Sequence, residues 1–338
     1  IGPFALAAQN FTTATSSYNV AVGRDAGLSV TTGVQNTLIG ALAGDALTDA
    51  DSNVAVGYSA LTTDTKGGRA VAIGQFALNT QNFTTTTNSY NIGIGYNAGV
   101  SITTGLQNTL IGGLAGDAIT DADLNVALGY FSLTSNTLGS KSVAIGAESL
   151  ASQNYTTATD SHNVAVGYYA GREISTGIRN TLIGSLAGDA ITDADSNVAV
   201  GYLALSADTL GTGSVAIGSN ALQTQNFTTA TTTYNVAIGL NAGLDLTTGI
   251  KNTFVGGLAG DNLTDADDNV AIGINALTSD VRGSKSTAVG SGSLANQNFT
   301  TATDTYNIAI GFDAGNDITT GIRNILIGGL TGDALTDA

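Results

Sequence analysis

The chain repeats itself every 72 residues without one insertion or deletion, and that regularity restricts its architecture before any residue is weighed for chemistry. Four complete copies, 1–72, 73–144, 145–216 and 217–288, precede a partial fifth, 289–338. Inside each copy a shorter unit recurs: a small or polar residue, two or three apolar residues, a glycine, two variable positions and usually an alanine. In the first copy the glycines are Gly2, Gly23, Gly40 and Gly57, and the second resumes at Gly74, which makes one coil of 21 residues and three of 17.

A 17-residue unit is too short to fold alone. Its NVAV, NTLI or SVAI run lacks helical spacing and is bounded by Gly, Asn, Asp and Thr, which marks a short strand between turns. Such units persist only by stacking. The sequence therefore predicts an all-β fold, a parallel β-solenoid of 17- and 21-residue coils continuous over 1–338, each coil buried by its neighbours. At one strand spacing per coil, the stack would be about 90 Å long. Within NVAVG, Val54 and Val56 face one way and Ala55 the other, so both faces are apolar and both call for burial. Small Ala on the second face would suit close approach between chains.

The 45 glycines follow no three-residue period, which excludes collagen, and 42% hydrophobic residues recurring in register argue against disorder. A net charge of −16, almost all from Asp, opposes binding to nucleic acid or anionic lipid. No apolar stretch approaches the roughly 20 residues that span a bilayer, so no membrane insertion is expected, and no signal peptide is visible. The chain starts without Met and stops mid-repeat, which reads as an excerpt of a longer polypeptide. The ten Lys and Arg residues read as scattered surface positions.

The strings NVAVGYSAL (53–61), SVAIGAESL (142–150), SVAIGSNAL (214–222) and NVAIGINAL (269–277) resemble the head repeats of YadA-type trimeric autotransporter adhesins. They are equally similar to the NTAVG-type repeats of phage tail fibres. The resemblance implies a left-handed β-roll that forms a homotrimer, located outside the cell, on its surface or on a virion. The Val-Gly-x-x-Ala pattern also satisfies the loose hexapeptide rule of left-handed β-helix acyltransferases. Those enzymes need a catalytic His, whereas the single His162 takes the place of Tyr18, Tyr90, Tyr234 and Tyr306 in the other copies.

Three recurring features carry candidate functions. Asp49, Asp51 and Asn53 recur as Asp121, Asp123, Asn125; Asp193, Asp195, Asn197; and Asp265, Asp267, Asn269. Alternating side-chain oxygens of this kind suit calcium, although Val54 and Ala60 stand where an EF-hand needs Gly and Glu. The same residues also turn a chain by bonding their own backbone, which is the preferred reading. Second, each longer coil carries an aromatic pair: Phe11 and Tyr18, Phe83 and Tyr90, Tyr155 and His162, Phe227 and Tyr234, Phe299 and Tyr306. These rings either contact a cell-surface glycan or receptor, or pack on each other and pin the bulge, the latter preferred. Third, Asn10, Asn82, Asn154, Asn226 and Asn298 each open an Asn-x-Thr glycosylation sequon.

No constellation breaks the repeat, whereas catalysis shows as a unique arrangement, so the sequence points away from an enzyme. The expected role is the shaft or head of an extracellular fibre, a surface adhesin or phage tail fibre, that displays repeated loops multivalently, with no cofactor, calcium at the Asp-rich motif being the alternative. Its main partner is itself, as homotrimer or filament. The alternatives are a subunit of a self-assembling extracellular filament and a polysaccharide-degrading tail spike.

Overall fold

The structure, a computed structural model, describes residues 1–337. All regular elements among them are short β-strands. The chain divides into two compact units, Ile1–Val164 and a second that begins at Ala165. In the first, Val20–Val22 pairs in parallel with Thr37–Ile39, and that strand with Val54–Val56. The ladder continues through Val71–Ile73, Ile92–Ile94, Thr109–Ile111 and Val126–Leu128 to Val143–Ile145. The second unit stacks its strands likewise from Thr181–Ile183 to Ile325–Ile327. Each residue faces its equivalent one coil away, so the parallel β-solenoid and its 17- and 21-residue coils are the observed fold.

The strand faces differ from the sequence expectation in one respect. The central residue is the one inside: Ala55, Ala72, Leu110, Ala199 and Phe254 have no exposed surface. The flanking Val and Ile face outwards. The strand centre therefore lines the coil interior, as Ala in most coils and as Leu38, Leu110, Leu182 or Phe254 in one coil of each copy, and the flanking residues form the outer surface.

Neighbouring coils share the interior volume between two sites. Leu38 at a strand centre is flanked by Gly27 and Gly44, where an added Cβ would lie 2.6 and 2.8 Å from Leu38 methyl carbons. Where the strand centre shrinks to Ala55 or Ala72, the position equivalent to Gly44 holds Leu61 or Leu78, both fully buried. Large and small residues thus alternate between two sites, keeping the core filled. Leu61 and Leu78 sit at φ 55° and 47°. A left-handed conformation costs about 1–2 kcal/mol for such a residue, which burying a leucine, at about 1.5–3 kcal/mol, offsets.

A column of buried asparagines ties the coils together. Asn36 Nδ2 donates to Ala50 O at 2.8 Å, and Asn36 Oδ1 accepts from Asn53 N at 2.9 Å. Asn53 and Asn108 repeat the pattern, with Nδ2 on Gly67 O and Ala122 O. These residues, read from sequence as turn formers, satisfy backbone groups that the coil corners would otherwise leave buried and unpaired. In the fourth coil the rung is Ala70, Ser142, Ser214 or Ser286. There a glutamine from the longer coil supplies the missing amide, as Gln81 Oε1 accepts from Asn91 Nδ2 at 2.8 Å.

Candidate interaction surface

The Asp-x-Asp-x-Asn motif is divided among three structural tasks. Asn53, Asn125, Asn197 and Asn269 are fully buried rungs of the asparagine column. Asp51, Asp123, Asp195 and Asp267 each accept from a backbone N–H of the preceding coil, for Asp51 from Val34 N at 2.8 Å. Asp121 accepts from the Thr103 and Thr104 hydroxyls, and Asp193 from Ser175 and Thr176, bonds that hold both carboxyls below the usual carboxylate range. Asp49 accepts from Thr48 Oγ1, and Asp265 pairs with Arg282 at 3.3 Å. The Asn oxygen is committed inside the coil while both carboxylates look outwards, so the motif does not assemble as one ligand set. Among the described residues no group of three or more His, Cys, Asp or Glu side chains is arranged to hold a metal.

In the longer coils the two aromatic positions part company. Phe83, Tyr155, Phe227 and Phe299 are at most 7% exposed. Phe83 lies over Gly67, where an added Cβ would meet its ring at 2.8 Å. Tyr18, Tyr90, Tyr234 and Tyr306 point to solvent at positive φ, and His162 shares that position and exposure. The rings do not pin the bulge by packing on each other; the first is a plug and the second lies at the surface, where Arg69 sits over the Tyr90 ring and Lys285 over that of Tyr306. Of the sequon asparagines, Asn10, Asn154, Asn226 and Asn298 are exposed, and Asn82 is half-buried with Oδ1 accepting from Thr65. A two-residue parallel pairing, Gly67–Gly68 with Thr87–Asn88, returns the bulge to the coil.

Beneath the plug lies a carboxylate that sequence reading passed over. Asp64 accepts from Gly67 N, Phe83 N and Gln81 Nε2 at 2.9, 3.1 and 2.6 Å. Asp208 is held in the same way by Gly211, Phe227 and Gln225. Burial pushes both carboxyls up despite these donors. A folded-state value above the unfolded one favours the fold most at pH below the ordinary carboxylate range, and that contribution is lost as pH rises through the raised value. Asn136 occupies the equivalent place in the second copy, donating to Gly139 O and accepting from Gly139 N. Asp208→Asn should accordingly keep the fold and flatten the loss of stability between acid and neutral pH, read by urea unfolding at several pH values.

The largest unexplained surface is the outer strand face. The residue before each glycine is Val, Ile or Leu in every coil; Ile39, Ile73 and Leu128 in the first unit and Ile183, Ile238 and Ile310 in the second are nearly two-fifths exposed. The residue after that glycine adds a second column in alternate coils: Tyr58, Tyr96 and Tyr130, then Tyr168, Tyr202, Leu240, Ile274 and Phe312, all about half exposed or more. All but one of the intervening coils carry small residues there, among them Ala41, Gly113, Ser185 and Gly257, the exception being Gln75. At about half of the ~200 Å² an aromatic side chain offers, three tyrosines of the first unit alone present on the order of 300 Å². Together with the aliphatic column this exceeds the apolar patch of an ordinary monomer.

The basic residues are not scattered. Arg69, Lys141, Arg179, Lys251, Lys285 and Arg323, six of the ten, all precede the asparagine column or its serine and alanine substitutes, at positive φ. Two help to hold the bulge: Lys141 Nζ meets Asp160 Oδ2, and Lys285 Nζ meets Asp304 Oδ2, both at 2.5 Å. Their spacings are sums of the 17- and 21-residue coils, a regularity visible only when the coils are aligned.

No family model, curated protein or solved structure matches the chain. The structure shows a β-solenoid repeat protein, a fold compatible with fibrous and structural roles.

Proposed function

We propose that this chain forms the shaft or head of an extracellular fibre, assembled from three copies of itself, that presents its bulges repeatedly to a cell surface. The observation that carries the reading is the apolar outer strand face, present in every coil and left uncovered by a single chain. Burying such a face is the strongest general drive for association, and the number three comes from the likeness to trimeric adhesin heads. The exposed Tyr18, Tyr90, Tyr234 and Tyr306, with His162 in the third copy, recur once per 72 residues and supply the display. A weak contact to a glycan or receptor at each gains avidity through repetition.

Light scattering of the purified chain tests this. A mass three times that of one chain is expected, and a single-chain mass at micromolar concentration would remove the self-assembly on which the fibre rests.

A further inference from the structure

Tyr58, Tyr96 and Tyr130 in the first unit follow the glycines that end alternate strands, separated by one 17- and one 21-residue coil and then by two of 17. Two parallel strand spacings put their attachment points about 9.5 Å apart. The coils between carry Gln75, which is exposed, and Gly113 at the same position. Each tyrosine is about half exposed, and two are braced by a second ring set edge to face. Phe76 meets Tyr58 at 5.5 Å between centroids, and Phe131 meets Tyr130 at 4.2 Å. Tyr130 also leans back over the coil before it, since a Cβ added to Gly113 would lie 3.5 Å from its Cδ2. The tyrosine of the neighbouring bulge differs: Arg69 sits over the Tyr90 ring and donates to its hydroxyl. No cation covers Tyr58, Tyr96 or Tyr130 among the described residues.

We propose that this tyrosine column is a binding platform for a neutral, extended β-1,4-linked polysaccharide. In such a chain each sugar is turned over relative to the one before it. The same pyranose face therefore recurs on every second sugar, at a repeat close to two strand spacings. Aromatic rings in alternate coils meet that periodicity, each offering its face to the C–H side of one sugar. The sugar between them faces the other way and passes over Gln75 or Gly113. There the Gln75 amide can exchange hydrogen bonds with its hydroxyls. Rings already braced lose little freedom when the ligand arrives. The net charge of −16, with no cation at this column from Tyr58 to Tyr130, selects an uncharged polymer over one bearing carboxylate or sulfate groups. The two repeats are close rather than equal, so the match serves a run of three rings. In the second unit the same column passes to Leu240 and Ile274, which have no ring to stack. The platform is separate from the bulges that carry the display and is complete within one chain.

Isothermal titration with cellohexaose and chitohexaose, soluble β-1,4-linked chains long enough to touch all three rings, tests this, with α-linked maltohexaose as the control. Binding of at least one β-linked chain and none of maltohexaose is expected. Tyr96→Ala should weaken that binding about tenfold. Tyr58→Ala, Tyr96→Ala and Tyr130→Ala together should abolish it with an unchanged circular dichroism spectrum. Tyr96→Phe keeps the ring and should bind nearly as the parent does, and Leu240→Ala with Ile274→Ala should leave binding unchanged. Failure of both β-linked chains to bind, equal binding of maltohexaose, or full binding by the triple variant would overturn the platform. Light scattering separates this result from self-association. A lower chain number in the triple variant would make the column a contact between copies and overturn the proposal. A single-chain mass for the parent, with β-linked binding intact, would remove the fibre and leave the platform standing.

Discussion

Gly256→Ala destabilises the second unit by about 3 kcal/mol or more, whereas Gly257→Ala, one residue further on, leaves stability within about 0.5 kcal/mol. The glycines that end successive strands form a column in which backbone meets backbone. A Cβ on Gly256 would lie 2.4 Å from Gly273 O and 2.6 Å from Gly273 C, and the residue sits at φ +139°. Neither contact is a flexible side chain that can swing away, and the backbone region is one that only glycine occupies at low cost. Gly257 has no such constraint, since the nearest atom to its added Cβ is Leu240 O at 3.9 Å. Denaturant unfolding followed by circular dichroism compares the pair directly. Equal stability of the two variants would show that the column tolerates side chains and that the close stacking is wrong.

Removing one rung of the asparagine column is nearly as severe. Asn252 Nδ2 donates to Ala266 O at 2.8 Å, and its Oδ1 accepts from Asn269 N at 3.0 Å. Asn252→Ala strands both backbone groups in a fully buried setting, at about 1–3 kcal/mol each, so a loss of about 2–6 kcal/mol is expected. Ser286→Ala is the comparison, because the protein itself uses Ala70 at that rung and the glutamine of the longer coil carries the amide. Gln297 keeps its bonds to Asp280 and Asn307 when the Ser286 hydroxyl is gone. A change within about 1 kcal/mol is expected there. If both substitutions cost the same, the column is not the tie that the geometry makes it.

These two columns show what was legible in the residue order and what was not. The strand triplets, the coil lengths and the 72-residue period could be read directly, because a solenoid imposes its repeat on the sequence with nothing between coils to blur it. The glycine after each triplet could be counted but not explained, since its reason, a backbone oxygen of the next coil, lies 17 or 21 residues away. Asn53 was misread as a turn former or calcium ligand because its partners, Gly67 O and Ala70 N, belong to other parts of the stack. The aromatic pair failed for a related reason. Phe83 and Tyr90 are equivalent as aromatic rings in a string of letters, yet one covers Gly67 and the other sits at a positive-φ corner facing water.

The sequence by itself determined the fold class and the coil lengths, because each is a property of periodicity. Only the tertiary structure decided which strand face is interior, and so which residues are exposed. Both faces of Val-Ala-Val are apolar, and alternation places neighbours on opposite sides without saying which side is in. The choice follows from volume: the coil interior admits Ala opposite Leu61 or Leu78 and Leu38 opposite Gly27 and Gly44. The two flanking residues of each strand, mostly Val, Ile or Thr, are left on the outer surface.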